Sequence, residues 1–130
     1  MLLYVYKGAV NIDRMISCDF IATYGAYFEL DDINLNGDNE YSFGALSVRR
    51  KVTFRSIKYL VTQGLVDAID SNQGFTYQIT PSGSDIVKKL KSDYAARYQR
   101  TMQRLIERFG TLTDKELRDL IDVRSRKVQK

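Results

Sequence analysis

No histidine and no tryptophan occur among the 130 residues, and cysteine occurs once, as Cys18. Without histidine the chain has neither the commonest general base nor the commonest metal ligand. A single cysteine can form neither a zinc cluster of the usual ligands nor an internal disulfide, and an unpaired thiol fits a reducing cytoplasm. No apolar run approaches the roughly 20 residues needed to span a bilayer, so no membrane association is expected. The opening Met1-Leu2-Leu3-Tyr4-Val5-Tyr6-Lys7 has no basic stretch ahead of its apolar residues, so a signal peptide is not expected either. Catalysis has little to stand on. There is no glycine-rich phosphate loop and no histidine to activate a serine, and Asp31 and Asp32 are adjacent, so they point apart on any regular element. The expectation is a protein that is not an enzyme, with no catalytic residue, metal or cofactor.

What is present is an uneven distribution of charge. The formal net charge is +4. Residues 1–40 hold seven acids and two bases, residues 41–66 hold five bases and no acid, and residues 67–130 hold thirteen bases and nine acids. An acidic end joined to a basic body points to a polyanion or an acidic protein surface as partner. The length suits one domain, long enough to bury roughly two-thirds of its unfolded surface.

Residues 2–10 read as a short strand or a single helical turn. From Asn11, a possible N-cap, Ile12, Met15, Ile16, Phe20, Ile21 and Tyr24 recur at helical spacing, and Gly25 is a plausible stop. Residues 25–43 have turn composition and read as an exposed loop. Ser42 is placed to cap a short helix over about 43–49, with Phe43, Leu46 and Val48 partly buried. A second helix over about 50–63 puts Phe54, Ile57, Leu60 and Val61 on one face and ends at Gly64. Leu65–Asp70 and Phe75–Thr80 read as strands joined by a four-residue loop, Ser71-Asn72-Gln73-Gly74. Thr80-Pro81 is an N-cap with proline at the first helical position. The helix that follows carries Ile86, Leu90, Tyr94, Met102, Leu105, Ile106 and Phe109, with a bend expected near 91–93 and an end at Gly110. Thr113 and Glu116 form a capping box flanked by Leu112 and Leu117. A last helix from 114 to about 124 buries Leu117, Leu120 and Ile121, and a basic, frayed tail follows.

The order helix, strand, turn, strand, helix is the back half of a winged helix-turn-helix. The fold class is therefore mainly α with a small β-hairpin wing (α+β), a winged helix-turn-helix followed by C-terminal helices. It forms one domain over 1–130: an N-terminal helix and acidic aromatic loop (1–41), a winged-helix core (42–90), C-terminal helices (91–124) and a basic tail (125–130).

Lys51, Arg55, Lys58 and Thr62, at spacing i, i+4, i+7, i+11, share one helix face, and Arg49 and Arg50 lie just before them. These six, with Asn72 and Gln73 at the wing tip, are the candidate contacts to DNA or an acidic partner. A solvated face is the plain alternative, and phosphate contact explains lysines and arginines without base readout. Tyr4, Tyr6, Tyr24, Tyr27, Phe28 and Tyr41 crowd the acidic third, where tyrosines supply either a protein interface or ordinary core. Arg97, Arg100, Arg104 and Arg108 recur along one side of the long helix, as a solvated face or a second basic strip. Asp32-Ile33-Asn34-Leu35-Asn36-Gly37 imitates the start of a calcium loop, but position 12 is Phe43 where a glutamate is required, so calcium binding is not expected.

Leu35-Asn36-Gly37-Asp38-Asn39, Leu46-Ser47-Val48-Arg49-Arg50-Lys51, Ile57 to Val66, Gly74 to Thr80 and Ile106 to Leu117 together resemble the middle component of bacterial ABC-three-component systems. The likeness runs through most of residues 2–122. Asn36 stands where many relatives are expected to have histidine. The resemblance implies a small winged-helix subunit working with an ATPase related to the structural-maintenance-of-chromosomes (SMC) and double-strand-break-repair ATPases. It also implies an effector, often a nuclease, with Lamassu-type defence against phages and plasmids as the best-known setting. The expected role is a cytoplasmic, non-enzymatic subunit that bridges the SMC-like ATPase to the effector nuclease and helps grip double-stranded DNA, largely without sequence specificity. The alternative is a stand-alone transcriptional regulator binding an operator as a homodimer.

Overall fold

Helix α2 (Ile12–Thr23) organises the chain, because it is buried around most of its circumference: Met15 to Cys18 and Phe20 to Thr23 are all inside. A computed structural model describes residues 1–30, 46–72 and 74–128. Ahead of α2 lies the short α1 (Leu2–Tyr6), and behind it a 3-10 turn, Gly25–Phe28. Then come α3 (Leu46–Thr62), β1 (Val66–Ser71), β2 (Gly74–Ile79), α4 (Pro81–Lys88), α5 (Asp93–Phe109) and α6 (Asp114–Val128). The fold is mainly helical, α+β, with one antiparallel hairpin among the described residues.

Two apolar clusters meet at α2. One joins Phe20 and Ile21 to Phe28, Tyr98, Met102, Leu105, Leu117 and Ile121, so α5 and α6 pack on one side. The other joins Met15 to Leu3, Val10, Ile57, Val66 and Tyr77, so α3 and the hairpin pack on the other, with α1 reaching both clusters. Val10 belongs to a bridge with β2: its N–H donates to the Tyr77 carbonyl (2.9 Å) and its carbonyl accepts from the Tyr77 N–H (2.8 Å). Residues 2–10 thus combine both expected forms, a helical turn and a single strand-like residue.

Local signals set most boundaries. The Asn11 side chain accepts from the Arg14 N–H, Thr80 from Gly83 and Ser92 from Ala95, the last starting a new helix at the expected bend. Thr113 and Glu116 exchange reciprocal bonds of 3.1 and 3.0 Å, the two halves of a capping box.

Five expectations are corrected. The separate helices over 43–49 and 50–63 are one continuous α3 from Leu46, because Arg49, Arg50 and Lys51 are good helix formers and nothing breaks the turn. Phe54 is not core but 49% exposed; the buried face centres on Ile57, with Leu60 and Val61 half-buried. The loop expected over 25–43 begins instead as a 3-10 turn with Phe28 and Leu30 buried, closed by Leu30 N–H donating to the Gly25 carbonyl. Arg104 and Arg108 hold that turn, donating to the carbonyls of Leu30 and Glu29. The hairpin pairs Ser71 with Gly74, so its turn is two residues, not four; Gly74 adopts φ +102°, which favours glycine. The last helix continues to Val128 rather than fraying from 125. Ser42, Phe43, Tyr41, Gln73 and the calcium-loop imitation at 32–43 lie outside the described residues.

Arg14 and Asp114 lock α6 to α2, with Arg14 Nη1 3.0 Å from Asp114 Oδ1. Burial alone pushes the Asp114 carboxyl upward, but the Asn11 hydrogen bond and the Arg14 guanidinium outweigh it and hold the pKa below the usual carboxylate range. A depressed folded pKa contributes stability above the unfolded value, about 3.9, and loses it as pH falls through the folded value. Asp114→Asn is therefore expected to be less stable than the parent at neutral pH. The gap should narrow between about pH 5 and pH 2, as read by urea unfolding across that range.

The start of α4 sits tightly on the segment before β1. Thr80 Oγ1 donates to the Gly64 carbonyl (2.8 Å), and the Thr80 N–H donates to the Leu65 carbonyl (3.1 Å). A Cβ on Gly83 would lie 2.3 Å from that Leu65 oxygen and 2.8 Å from Ile79 Cγ1. Glycine to alanine inside a helix ordinarily stabilises by about 1 kcal/mol. Gly83→Ala is expected to do the reverse, costing about 1–3 kcal/mol in thermal or urea unfolding, because the obstructing atom is backbone.

Candidate nucleic-acid and partner interface

The basic residues of α3 divide into two groups. Arg49 faces α2: its Nη1 is 3.0 Å from Asp19 Oδ2, and its guanidinium lies over the rings of Phe20 (5.6 Å) and Tyr24 (5.8 Å). Arg50 Nη1 pairs with Asp13, also on α2. The sequence places both arginines on DNA or an acidic partner. They are instead occupied within the chain, because the acidic N-terminal third folds against the start of the basic helix.

Lys51, Arg55 and Lys58 are exposed, and among the described residues none of them is in an ion pair. Thr62, exposed at the end of the same strip, donates its hydroxyl to the Tyr59 carbonyl (2.6 Å). At 1.5 Å per residue the strip is about 16 Å long. It presents three cations to solvent, suited to phosphates or carboxylates. Asn72 is exposed at the hairpin turn.

The aromatic group divides as well. Tyr24 and Phe28, candidates for a protein interface or for ordinary core, are core residues, 6% and 0% exposed, because α5 and α6 close over them. Tyr4 and Tyr6 are half-buried. The Tyr6 hydroxyl accepts from Arg14 Nε at 2.6 Å, which gives it a partner inside the chain. Tyr41, and the side chain of Tyr27, lie outside what is described.

Two buried groups outside the basic strip are informative. Tyr98 donates its hydroxyl to Asp19 Oδ1 (2.6 Å); burial first, then the Asp19 charge, pushes the phenol well above its ordinary range. Cys18 is 1% exposed, and burial pushes its thiol up to about 11. It stays protonated at neutral pH and is a poor nucleophile.

Sequence reasoning missed a groove of about 500 Å³ between α1, α3 and α4. Val52, Ile86 and Leu90 line it while remaining 57%, 48% and 44% exposed. The helical spacing of Ile86 and Leu90 suggests core. The break over 89–92 lets α5 take its own rotation and send Ala95, Tyr98 and Met102 inward, while Ile86 and Leu90 stay at the groove. Apolar residues at the edge of and within a helix break, Ile86 and Leu90, were the available signal.

The division of α3 predicts a division in stability. Arg49→Ala should cost about 1–2 kcal/mol, the sum of a partly exposed ion pair and two cation–π contacts. Single alanines at Lys51, Arg55 or Lys58 should stay within about 0.5 kcal/mol of the parent in urea unfolding.

No helix among the described residues is long and apolar enough to cross a membrane. No curated protein and no solved structure matches the chain. The family of the ABC-three component (ABC-3C) system Middle Component 2 matches over residues 1–130, in agreement with the resemblance carried by the arginine pair, the hairpin and the late capping box. A middle component implies partner components in a complex. The chain belongs to the Middle Component 2 family of ABC-three component systems.

Proposed function

We propose that this middle component is a non-enzymatic winged-helix subunit linking an SMC-like ATPase component to a nuclease effector in Lamassu-type cytoplasmic defence. In this reading it grips duplex DNA through Lys51, Arg55 and Lys58. The observation that carries the reading is the strip of three exposed cations, without ion-pair partners among the described residues, on the helix that leads into the hairpin. Several features support it. α3 runs into β1 and β2 in winged-helix order, and the Val10 bridge adds a strand-like residue along the other edge of β2. Arg49 and Arg50 anchor the helix without using the outward strip. The buried, protonated Cys18 suits a subunit without nucleophilic chemistry. Phosphate contact also suits largely non-specific binding, since lysine and arginine side chains on a backbone carry no base information.

Fluorescence titration of a duplex of random sequence against salt tests this, with the chain alone and with the co-purified complex. Replacing Lys51, Arg55 and Lys58 together by alanine is expected to weaken binding. It should also flatten the slope of log K against log salt by about 0.9 for each phosphate that the variant no longer neutralises. An unchanged slope would move the strip off DNA. Equal affinity for random and promoter duplexes is expected; a preference of about 10³-fold or more would instead favour a stand-alone regulator.

A further inference from the structure

The groove between α1, α3 and α4 has no occupant among the described residues, although half-exposed aliphatic side chains surround it. Scattered exposed leucines and valines are ordinary; Val52, Ile86 and Leu90 gathered at one concavity of about 500 Å³ are not. Several of its polar groups are already engaged, although Met1 and Thr53 also line it. Ser56 donates its hydroxyl to the Val52 carbonyl of its own helix (2.9 Å). Asp19 accepts from Arg49 and Tyr98. A small-molecule site needs a few convergent polar groups to orient its ligand; here Ser56 and Asp19 are taken, and most of the remaining lining is apolar. The floor therefore suits apolar side chains.

The rims are basic. Arg55 follows Val52 by one helical turn, and Leu46–Thr62 contains no acid. On the other wall, exposed Lys88, Lys89 and Lys91 flank Leu90 in sequence, against Asp85 alone between Pro81 and Ser92, while Asp19 lines the groove itself. From Val52 to Leu60 the α3 wall is about 12 Å long, the length of roughly two helical turns.

We propose that this groove is a docking site for an acidic amphipathic helix of two to three turns supplied by a partner component. Its apolar residues at i, i+3 or i+4, and i+7 seat against Val52, Ile57, Ile86 and Leu90, and its flanking carboxylates meet Arg55 and Lys89. A second copy of this chain suits the rims less well, since residues 41–130 hold eighteen bases against nine acids. The proposal rests on the chain working within a multi-component complex, but not on the DNA reading.

The experiment is co-expression with the ATPase and effector components, with the mass of the purified complex and the dissociation constant of each pair as readouts. Ile86→Glu with Leu90→Glu is expected to weaken association with one component at least about tenfold. Lys89→Glu with Lys91→Glu, remote from the core, should weaken the same pair, and salt should weaken it in the parent. Thermal melting near the parent value serves as the fold check. If the Ile86 and Leu90 variant misfolds, the lysine variant and protection of α3 and α4 amides from hydrogen exchange in the parent complex decide the matter. Parental affinity for both components in both variants overturns the proposal and leaves the subunit reading intact. Failure of the parent chain to associate with either component overturns both. A doubled mass of the chain alone, abolished by Ile86→Glu with Leu90→Glu, assigns the groove to a second copy. Equal protection of its amides in the isolated chain assigns it to another part of this chain. Either result overturns the acidic partner.

Discussion

The Arg14 guanidinium sits where four parts of the chain meet. Its Nε donates to the Tyr6 hydroxyl (2.6 Å), Nη1 to the Leu112 carbonyl (2.7 Å) and Asp114 (3.0 Å), and Nη2 to the Gly110 carbonyl (2.9 Å). Its side chain is only 13% exposed. An arginine so enclosed is tolerable because nearly every donor is met, and its planar fork reaches carbonyls and a carboxylate together. Burial works against the charge, yet the bonds to Asp114 and Tyr6 outweigh it, so its pKa is raised. Asn11 holds the other Asp114 oxygen at 2.8 Å. The Arg14 bonds to the Gly110 and Leu112 carbonyls and to Asp114 tie the turn ahead of α6 to α2. Leu117 and Ile121 then reach the cluster around Phe20 and Phe28. The larger core thus depends on a polar junction at its edge, where removing one partner would leave the others unsatisfied.

A second electrostatic constraint gives α3 its rotation. The acids of α2, Asp13 and Asp19, take Arg50 and Arg49, so the charge split along the sequence is in part a folding interaction. With Ile57 buried and those two arginines turned toward α2, helical geometry turns Lys51, Arg55 and Lys58 to solvent. The exposed strip follows from where the first bases are anchored.

What was legible in the sequence was mostly local. The caps at Asn11, Thr80 and Thr113, the bend near 91–93 and the hairpin strands follow from side chains acting within four residues of themselves. The hairpin turn departs from expectation only in length. The misses were long-range. Nothing near Arg49 signals that its partner lies thirty residues away on α2. Phe54 fits a helical stripe with Ile57 and Leu60, but only the packing of α2 and the hairpin decides which 100° of the helix is covered. For Tyr24 and Phe28 the sequence leaves interface and core both open; α5 and α6, some seventy to ninety residues later, enclose them. Composition near a residue does not determine its burial when distant elements supply the cover.

The surfaces left on α3 are adjacent but chemically distinct. Counted from Ile57, the Lys51, Arg55, Lys58 and Thr62 strip lies about a quarter turn from Val52 and farther from Ser56. Arg55 is the residue of the strip that follows Val52 on the next turn. An anion on the strip and an acidic helix in the groove would therefore share at most that one cation, while Lys51 and Lys58 belong to the strip and Ile86 and Leu90 to the groove. Charge removal at the first pair and charge insertion at the second pair should act independently if the surfaces serve different partners, since distant sites without shared partners are additive. If a single partner covers both, the two changes must couple, and the linkage is reciprocal. One helix thus carries the information needed to tell a subunit gripping DNA beside a protein from a subunit whose whole basic face meets protein.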